Sequence, residues 1–363
     1  MIDRRLLAHF DWTLLTLVLI ISFIGVINLY SATFGEAESS LHGKQILWIG
    51  IGLALALFIT IFDYRFSRDL AYVFYGISLV LLMAVFAYRT VDSEISRWIK
   101  VGPFFFQPAE LTKVTIILAL AKYFDQFVKR DGYLLRDLII PFVILLVPSL
   151  MVAKQPDLGT AISLLLIGFS IILFVKIQWR SLLIMIIGGI SVLPLMWNFL
   201  MPYQKKRILT FFRPELDPLG AGYHIIQSKI AIGSGGVLGK GFLKGTQCKL
   251  HFIPAQHTDF VFSVLAEEWG LLGGLIVLGL YLFLIAWGLN ISNLSKDRFG
   301  AIVAFGVVSL IFWHVIINIG MALGIMPVVG IPLPFMSYGG SAILAIMAGV
   351  GLLLNISMRR YIF

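Results

Sequence analysis

Long apolar runs recur along the whole chain and restrict it to a fold that lies in a membrane. The sequence is 59% hydrophobic and 13% charged, whereas soluble domains are about half apolar and a quarter charged. A helix needs about 20 apolar residues to cross roughly 30 Å of hydrocarbon. Such runs predict ten spans, at about residues 11–32, 45–63, 69–88, 108–125, 137–153, 157–176, 180–200, 260–290, 299–325 and 335–357. We therefore expect an all-α integral membrane protein that forms one domain over residues 1–363.

The basic residues of the short loops orient these spans. An even number of spans places both termini on one side, and that side carries most of the Lys and Arg of the short loops. Cytoplasmic loops are enriched in Lys and Arg, so both termini are expected in the cytoplasm. Residues 201–259 then form one large extracytoplasmic loop between the seventh and eighth spans. The net charge of +9 fits a neighbourhood of anionic lipid headgroups, and we expect no nucleic-acid partner.

The segment 201–259 is the only long polar stretch of the chain. Long ordered loops usually carry function, so we expect the chemistry here. Its glycine-rich part, residues 233–241, lacks the spacing of a Walker loop or a dinucleotide fingerprint. Exposed backbone N–H groups and Lys240 could wrap an anionic headgroup, but a tight re-entrant loop explains the same composition equally well. Cys248 is the only cysteine, which excludes an internal disulfide and a zinc site built from several thiolates.

Asp259 stands at the external start of the eighth predicted span. Thr258 is a suitable N-cap, which would place Asp259 in the first helical turn. Ser263 and Glu267 would follow it on about the same face and support it. Asp259 could simply complement the positive end of the helix. The alternative is a general base at the water–membrane boundary, kept ionised and at a low pKa by the helix dipole and nearby cations.

Glu110 and Lys113 begin the fourth predicted span from the same side. Their spacing of three allows them to pair, and charges within a span usually face an interior cavity. A structural ion pair and a phosphate site at Lys113, positioned by Glu110, both remain open. Arg97 and Lys100 lie in an external loop, and Asp157 is expected to cap the sixth span. The topology therefore gathers these polar residues at one end of the bundle and predicts a shared external cavity.

Several segments of the chain resemble one family, the SEDS cell-wall polymerases, and its elongation branch more than its division branch. The matching pieces are RW at 97–98, QPAELTK at 107–113, QPDLGT at 155–160, AIGSGG at 231–236, GTQ at 245–247, FIPAQHTDF at 252–260 and PLPFMSYGGS at 332–341. The resemblance covers nearly the whole chain in order. It departs from the family at Ala255, where the family usually has Glu.

The resemblance implies a multi-pass protein of the bacterial inner membrane with ten spans and cytoplasmic termini. It also implies a peptidoglycan glycosyltransferase that polymerises lipid II during cell elongation. Asp259 matches the essential aspartate of the family, and Glu110 with Lys113 matches its salt bridge. The implied partner is a class B penicillin-binding protein that docks by a single helix, together with other membrane proteins of the elongation complex.

An inverting transfer follows from this resemblance. Asp259 would take the proton of the acceptor 4-hydroxyl, and undecaprenyl diphosphate would leave. Mg²⁺ or Mn²⁺, bound by Asp259 and the pyrophosphate rather than by a protein-built site, is one expected source of charge stabilisation, and no organic cofactor is expected. The residues expected to hold the substrate or its pyrophosphate are Lys113, Glu110, Arg97, Lys100, Gln227, Lys240, His257 and Thr258.

Two functions of other classes compete with this hypothesis. Many spans with charges inside them also suit a flippase of lipid-linked precursors. However, the sequence has no evident inverted repeat, and its unusual polar groups cluster at one end. A non-catalytic scaffold for a transpeptidase would give no reason for ionisable groups to converge.

Overall fold

The computed structural model describes residues 9–34, 40–89, 97–101, 104–129, 131–199, 202–213, 215, 217, 220–250, 252, 253 and 255–360. The described residues form thirteen α-helices, one 3₁₀ turn and two short strands. The helices are α1 (Trp12–Ala32), α2 (Leu41–Ile61), α3 (Tyr64–Arg89), α4 (Pro108–Gln126), α5 (Ile139–Lys154), α6 (Leu158–Phe174), α7 (Trp179–Phe199), α8 (Pro202–Phe212), α9 (Ala221–Gly235), α10 (Thr246–Lys249), α11 (Val261–Asn293), α12 (Arg298–Ala322) and α13 (Gly340–Arg359). The 3₁₀ turn is Leu135–Leu138, and the strands are β1 (Ile99–Val101) and β2 (Phe104–Phe106).

Each of the ten predicted spans contains one helix of the structure. Among the described residues, seven helical segments are long and apolar enough to cross a membrane, in α1, α2, α3, α5 with its preceding 3₁₀ turn, α11, α12 and α13. The chain is therefore a multi-pass, nearly all-helical membrane protein. The count of ten crossings stays a prediction, because α6 and the apolar part of α7 are shorter and α4 carries four charged residues.

Two expected helix starts are confirmed. The Asp157 carboxylate accepts a hydrogen bond from the backbone N–H of Thr160 at 3.2 Å and begins α6. Pro108 occupies the first turn of α4, where the N–H that proline lacks would have no helical partner. Glu110 follows in that turn and complements the positive end of the helix dipole.

Helices α4, α12 and α13 form the centre of the bundle. Helix α12 packs against α4, α6, α11 and α13, and α13 packs against α2 and is almost entirely enclosed. Gly306 of α12 allows this close packing, since a Cβ there would lie 2.5 Å from Ile117 of α4. A helix enclosed by other helices needs no polar face, which explains why α12 shows no polar side along its length.

Two parts of the structure differ from the expectation. The segment 201–259 is largely helical and contains α8, α9 and α10 rather than one irregular loop. A small antiparallel hairpin, β1 and β2, precedes α4, with Ile99 paired to Phe106. The helices of segment 201–259 lack an apolar run long enough to be predicted as a membrane span. The strands of the hairpin have three residues each, which is too short for an alternating pattern to be recognised.

Helix α11 is broken at Gly270, whose φ of 64° and ψ of −163° are not helical. Residues 236–241, which we call the glycine insert, fill the break. The N–H groups of Lys240 and Gly241 donate to the carbonyls of Glu267 and Glu268 at 3.1 and 2.9 Å. In return, Leu271 and Leu272 donate to the insert at 2.9 and 3.1 Å. These four bonds replace the helical bonds from Leu271 and Leu272 to Glu267 and Glu268. Each buried backbone group left without a partner would cost about 1–3 kcal/mol.

Candidate active site

Asp259 lies in a tight turn formed by residues 255–260, immediately before α11. The carbonyl of Ala255 accepts hydrogen bonds from the N–H groups of Thr258 and Asp259, both at 3.1 Å. The cap position of α11 is Phe260, which gives no side-chain cap. The expectation that Thr258 caps the helix and that Asp259 lies in its first turn is therefore wrong.

A cavity of about 340 Å³ opens at Asp259. Its lining combines two carboxylates, two cationic side chains, a histidine and apolar side chains. The lining residues are Lys206, Arg207, Asp217, His224, Ala255, Asp259, Phe260 and Val328. The sequence predicted a cavity shared by Asp259 with Glu110, Lys113, Arg97, Lys100 and Asp157, but none of these five residues lines this one. Instead, α8, α9 and the turn 255–260 build most of it.

The cations of the cavity come from α8. Lys206 lies 3.0 Å from the Asp217 carboxylate, and its side chain is 63% exposed. Arg207 donates from Nη1 to the carbonyl of Val328 at 3.3 Å, and its charge acts on Asp259. An arginine guanidinium has further N–H groups in a fixed fork, which suits a bidentate contact with phosphate oxygens.

Burial raises the pKa of Asp259 above its ordinary value of 3.8. Thr258, Arg207 and His257 each oppose this rise, whereas the negative charge of Asp157 adds to it. The expectation of a low pKa is therefore wrong, because desolvation outweighs the cations. A raised pKa makes Asp259 a stronger base toward a hydroxyl group than an ordinary aspartate.

His224 of α9 completes the titratable groups of the cavity. Burial lowers the pKa of its imidazole, and the positive charge of Arg207 lowers it further. Its ring lies 6.0 Å from that of Phe260. The imidazole is therefore neutral near pH 7 and can donate or accept a hydrogen bond without adding charge.

Lys113 and Glu110 are enclosed in the bundle and do not line the cavity. The Lys113 ammonium lies 2.7 Å from Oε1 of Glu110, and the lysine side chain is only 1% exposed. It also lies 3.1 Å from Nε2 of His314 on α12. Of the two roles left open by the sequence, this geometry selects the structural ion pair, which lies within α4 and contacts α12 through His314. We therefore correct the expected phosphate contact of Lys113.

Arg97, Lys100 and Asp157 also lie outside the cavity lining. Arg97 donates to the carbonyl of Pro156, so its charge holds the hairpin against the start of α6. Lys100 is exposed on β1. Asp157 accepts a hydrogen bond from the Gln107 amide at 2.8 Å in addition to capping α6. These contacts are structural, although the charge of Asp157 acts on Asp259.

Lys240 of the glycine insert pairs with the buried carboxylate of Glu267. The ammonium of Lys240 lies 2.6 Å from the Glu267 carboxylate. That carboxylate also accepts the backbone N–H groups of Thr246 and Gln247 at 2.8 and 3.0 Å, which begin α10. Glu267 is thus a supporting residue. The ammonium of Lys240 is paired with Glu267, and its backbone N–H donates to the carbonyl of Glu267. Of the two interpretations of the glycine-rich run, the structure therefore favours a tight re-entrant loop over a site for an anionic headgroup.

The remaining predicted residues surround the turn. Ser263 contacts Ser228 at 2.6 Å and joins α11 to α9, while Gln227 lies half-buried on α9. The carbonyl of His257 accepts the N–H of Tyr338 at 2.9 Å, and its imidazole is partly exposed. Within the described part of the chain, no group of three His, Cys, Asp or Glu side chains could hold a metal ion.

Sequence reasoning missed four cavity residues: Lys206, Arg207, Asp217 and His224. The run Lys205–Arg207 is the densest basic cluster of the polar segment. It could have been chosen on that ground alone. The fold of the segment into α8 and α9, which brings the run to Asp259, has no signal in the charge pattern.

Comparison with known proteins decides the family. A family model described as "Cell cycle protein", which covers FtsW, RodA and SpoVE, matches residues 9–362. The chain belongs to this family, the SEDS proteins. The expected resemblance is confirmed over almost the whole sequence.

Individual relatives and structures agree with this membership. The chain is 41% identical to the peptidoglycan glycosyltransferase MrdB of Escherichia coli strain K12, over 97% of this chain and 95% of MrdB. It is 33% identical to the peptidoglycan glycosyltransferase RodA of Treponema pallidum, over 98% and 99% of the two chains.

Two solved structures share the fold. One belongs to work described as "Structural coordination of polymerization and crosslinking by a peptidoglycan synthase complex". Its chain matches with a TM-score of 0.82 and 37% identity over 97% of this chain and 98% of that one. The other is RodA of Thermus thermophilus, with a TM-score of 0.70 and 32% identity over the same shares.

Proposed function

We propose that this protein is a peptidoglycan glycosyltransferase that polymerises lipid II into glycan strands, with Asp259 as the general base. One observation carries the proposal: Asp259 shares a cavity with the cationic side chains of Lys206 and Arg207. A base next to cations is what transfer from a diphosphate-linked donor requires, because a proton is removed at one end of the reaction and negative charge develops at the other. The names of the curated relatives support the reaction class.

The chemistry follows from this arrangement. The oxygen of the acceptor 4-hydroxyl attacks the anomeric carbon of the donor sugar, and its proton passes to the Asp259 carboxylate. The bond between that carbon and the diphosphate oxygen breaks, and undecaprenyl diphosphate leaves with the electron pair. Attack opposite to the leaving group inverts the anomeric carbon. The raised pKa of Asp259 brings the base closer to the pH at which it works.

Arg207 and Lys206 are placed to stabilise the leaving diphosphate. They take the role that the sequence had suggested for Lys113 and Arg97. Lys206 is already paired with Asp217 at 3.0 Å, so its charge is partly neutralised before the substrate binds. We therefore assign Arg207 the larger share of the stabilisation.

The donor set fits a divalent cation that is held mainly by the substrate. Asp259 is one carboxylate, and the second cavity carboxylate, Asp217, is engaged by Lys206. Magnesium typically uses one or two carboxylates together with phosphate oxygens. A Mg²⁺ or Mn²⁺ ion bound by Asp259 and the diphosphate would neutralise charge on the leaving group.

The setting of the reaction is part of the proposal. With both termini in the cytoplasm of a bacterial inner-membrane protein, the cavity opens on the outer face, where the lipid tails of the substrates stay in the bilayer. A solved relative comes from a peptidoglycan synthase complex that coordinates polymerisation and crosslinking. We infer that a class B penicillin-binding protein is the corresponding partner of this chain.

Polymerisation of purified lipid II by wild type and by Asp259→Asn tests the base. We expect a loss of about 1,000-fold or more, since the amide keeps the shape but cannot accept the proton. The matched control is Asp217→Asn, the other carboxylate of the cavity, which should lose less than about tenfold. A folded Asp259→Asn protein with wild-type polymerisation would refute the base. Lipid II translocation by vesicles that show no polymerisation would instead support the flippase.

A further inference from the structure

One segment of the chain, residues 328–332, crosses directly over Asp259. A Cβ added to Gly330 would lie 3.4 Å from Oδ2 of Asp259, and the φ of Gly330 is +75°. The carbonyl of Val329 lies against α6, where a Cβ on Gly159 would meet it at 2.3 Å. Arg207 donates to the carbonyl of Val328. The segment therefore forms one wall of the space in which the carboxylate lies.

Asn318 of α12 holds this segment and the turn of Asp259 together. Its Nδ2 donates to the carbonyl of Asp259 at 3.0 Å and to the carbonyl of Ile331 at 2.8 Å. Both neighbours are acceptors, so the amide orientation is fixed. Its Oδ1 has no hydrogen-bond partner among the described residues, although it is fully buried. The amide is thus used for the two bonds that it donates.

His314, one helical turn before Asn318, holds the same segment from its other end. Its Nε2 faces the Lys113 ammonium at 3.1 Å, and its Nδ1 faces the carbonyl of Pro332 at 3.2 Å. An ammonium group can only donate, so Nε2 accepts and the proton lies on Nδ1, which donates to Pro332. The buried pair of Glu110 and Lys113 therefore fixes the imidazole tautomer that binds the segment.

We propose that Asn318 is a positioning residue for Asp259, which sets the distance between the catalytic turn and the segment 328–332. His314 and the Glu110–Lys113 pair secure the far end of that segment. This inference rests on the proposed role of Asp259 as the base. It assigns a function to polar side chains of α12 that touch neither the cavity nor the substrate.

The environment of the carboxylate supplies a readout beyond stability. The charged and titratable groups around Asp259 are Lys206, Arg207, Asp217 and His224 in the cavity, together with Asp157 and His257. None of them is changed by a substitution at position 318. If the segment 328–332 loosens, the carboxylate loses its fixed distance from the acceptor hydroxyl while the cavity groups stay in place, so kcat falls and KM changes little.

Asn355 of α13 offers a matched control. Its Nδ2 also donates to two backbone carbonyls, those of Ile59 and Phe62, both at 2.6 Å. These carbonyls belong to the end of α2 and the residue that follows it, and Asn355 does not line the cavity. Replacing either asparagine by leucine removes two bonds from an amide to backbone carbonyls at similar side-chain volume. At Asn355 it also removes the bond that Arg359 donates to Oδ1, so the control loses more contacts than Asn318→Leu.

The test compares Asn318→Leu with Asn355→Leu in full-length protein, by lipid II polymerisation and by thermal melting in detergent. We expect Asn318→Leu to lower kcat about 10- to 100-fold, with KM changed less than about threefold. Asn355→Leu should melt at a similarly reduced temperature but keep kcat within about twofold. Asn318→Gln, which retains the amide, should recover part of the rate.

Equal kcat values for the two leucine variants, or no recovery of rate in Asn318→Gln, would overturn the proposal. If Asn318→Leu does not fold, the kcat values of Asn318→Gln and Asn355→Gln are compared instead. A kcat that is lower only in Asn318→Gln supports the proposal, and equal values overturn it. The result is separable from that of Asp259→Asn. If Asp259→Asn is active, the assignment of Asp259 as the base is refuted. If Asp259→Asn is inactive but Asn318→Leu polymerises lipid II normally, only the positioning role of Asn318 is refuted.

Discussion

Two lysine–carboxylate pairs of this protein have similar lengths and opposite surroundings. Lys113 lies 2.7 Å from Glu110 with 1% of its side chain exposed, whereas Lys206 lies 3.0 Å from Asp217 with 63% exposed. The first pair lies on α4 inside the bundle, where the Lys113 ammonium contacts Glu110 and His314 of α12. The second borders a cavity and can exchange its partner for a ligand. Access to water, and not the presence of charge near a span, separates structural from functional ion pairs here.

Breaking the enclosed pair should have the largest effect on the protein as a whole. In Lys113→Met, the Glu110 carboxylate loses its cation in the interior, and a broken buried pair costs about 3–5 kcal/mol. We expect a strong fall in the yield of folded protein and in melting temperature in detergent.

The double variant Glu110→Gln/Lys113→Met removes both charges and should recover part of that loss. If Lys113→Met melted like wild type and lost only activity, the enclosed pair would be functional, and the contrast between the two pairs would fail.

Changing the cavity cations should have the opposite effects, lowering the polymerisation rate strongly and the melting temperature only slightly. Arg207→Gln removes the guanidinium that faces Asp259, and we expect polymerisation to fall about 10- to 100-fold as stabilisation of the leaving diphosphate is lost. Melting should change little, because one partly exposed side chain is truncated at the rim of a cavity.

Lys100→Gln is the control for a lost external charge, since Lys100 is exposed on β1 outside the cavity. It should stay within about twofold of wild type. An equal loss in Lys100→Gln and Arg207→Gln would mean that general surface charge, and not the cavity, attracts the substrate.

The smallest expected effect concerns stability at Asp259 itself. Burial raises its pKa above 3.8, so the folded protein binds this proton more tightly than the unfolded chain. The resulting stabilisation is complete below the unfolded pKa and is lost as pH rises through the folded pKa. Asp259→Asn should therefore melt at a slightly higher temperature than wild type near neutral pH, and the difference should vanish near pH 4.

Melting curves of both proteins across that pH range check this sign. A variant that is less stable than wild type at neutral pH would show that the ionised carboxylate is stabilised by its neighbours. The contrast between cavity and interior would then need to be revised.

The sequence predicted the helical spans well, because twenty consecutive apolar residues leave few alternatives in a bilayer. The ion pair at Lys113 and the cap at Asp157 were also predictable, since both depend on partners three residues away. The surroundings of Asp259 were not. They depend on Arg207 and on Gly330, which are distant in sequence and come close only after α8 and the segment 328–332 are folded.

The prediction of a low pKa for Asp259 considered only charges near it in sequence, and it was wrong because burial depends on the whole fold. Helix dipole and nearby cations can be inferred from local sequence, but the desolvation of one carboxylate depends on every element around it. The glycine insert was equally hidden. Its composition was visible, but its partner, the break at Gly270, appeared in the sequence only as an ordinary pair of small residues in a membrane helix.

The break at Gly270 also determines how α11 is braced between the lipid and the turn of Asp259. Below it, α11 is a long apolar rod that must tilt when the local thickness of the lipid changes. Above it, the short stretch that carries the turn of Asp259 is attached to the glycine insert through the carbonyls of Glu267 and Glu268. Because Leu271 and Leu272 of the long part donate to the same insert, one short segment braces both parts of α11 across the break.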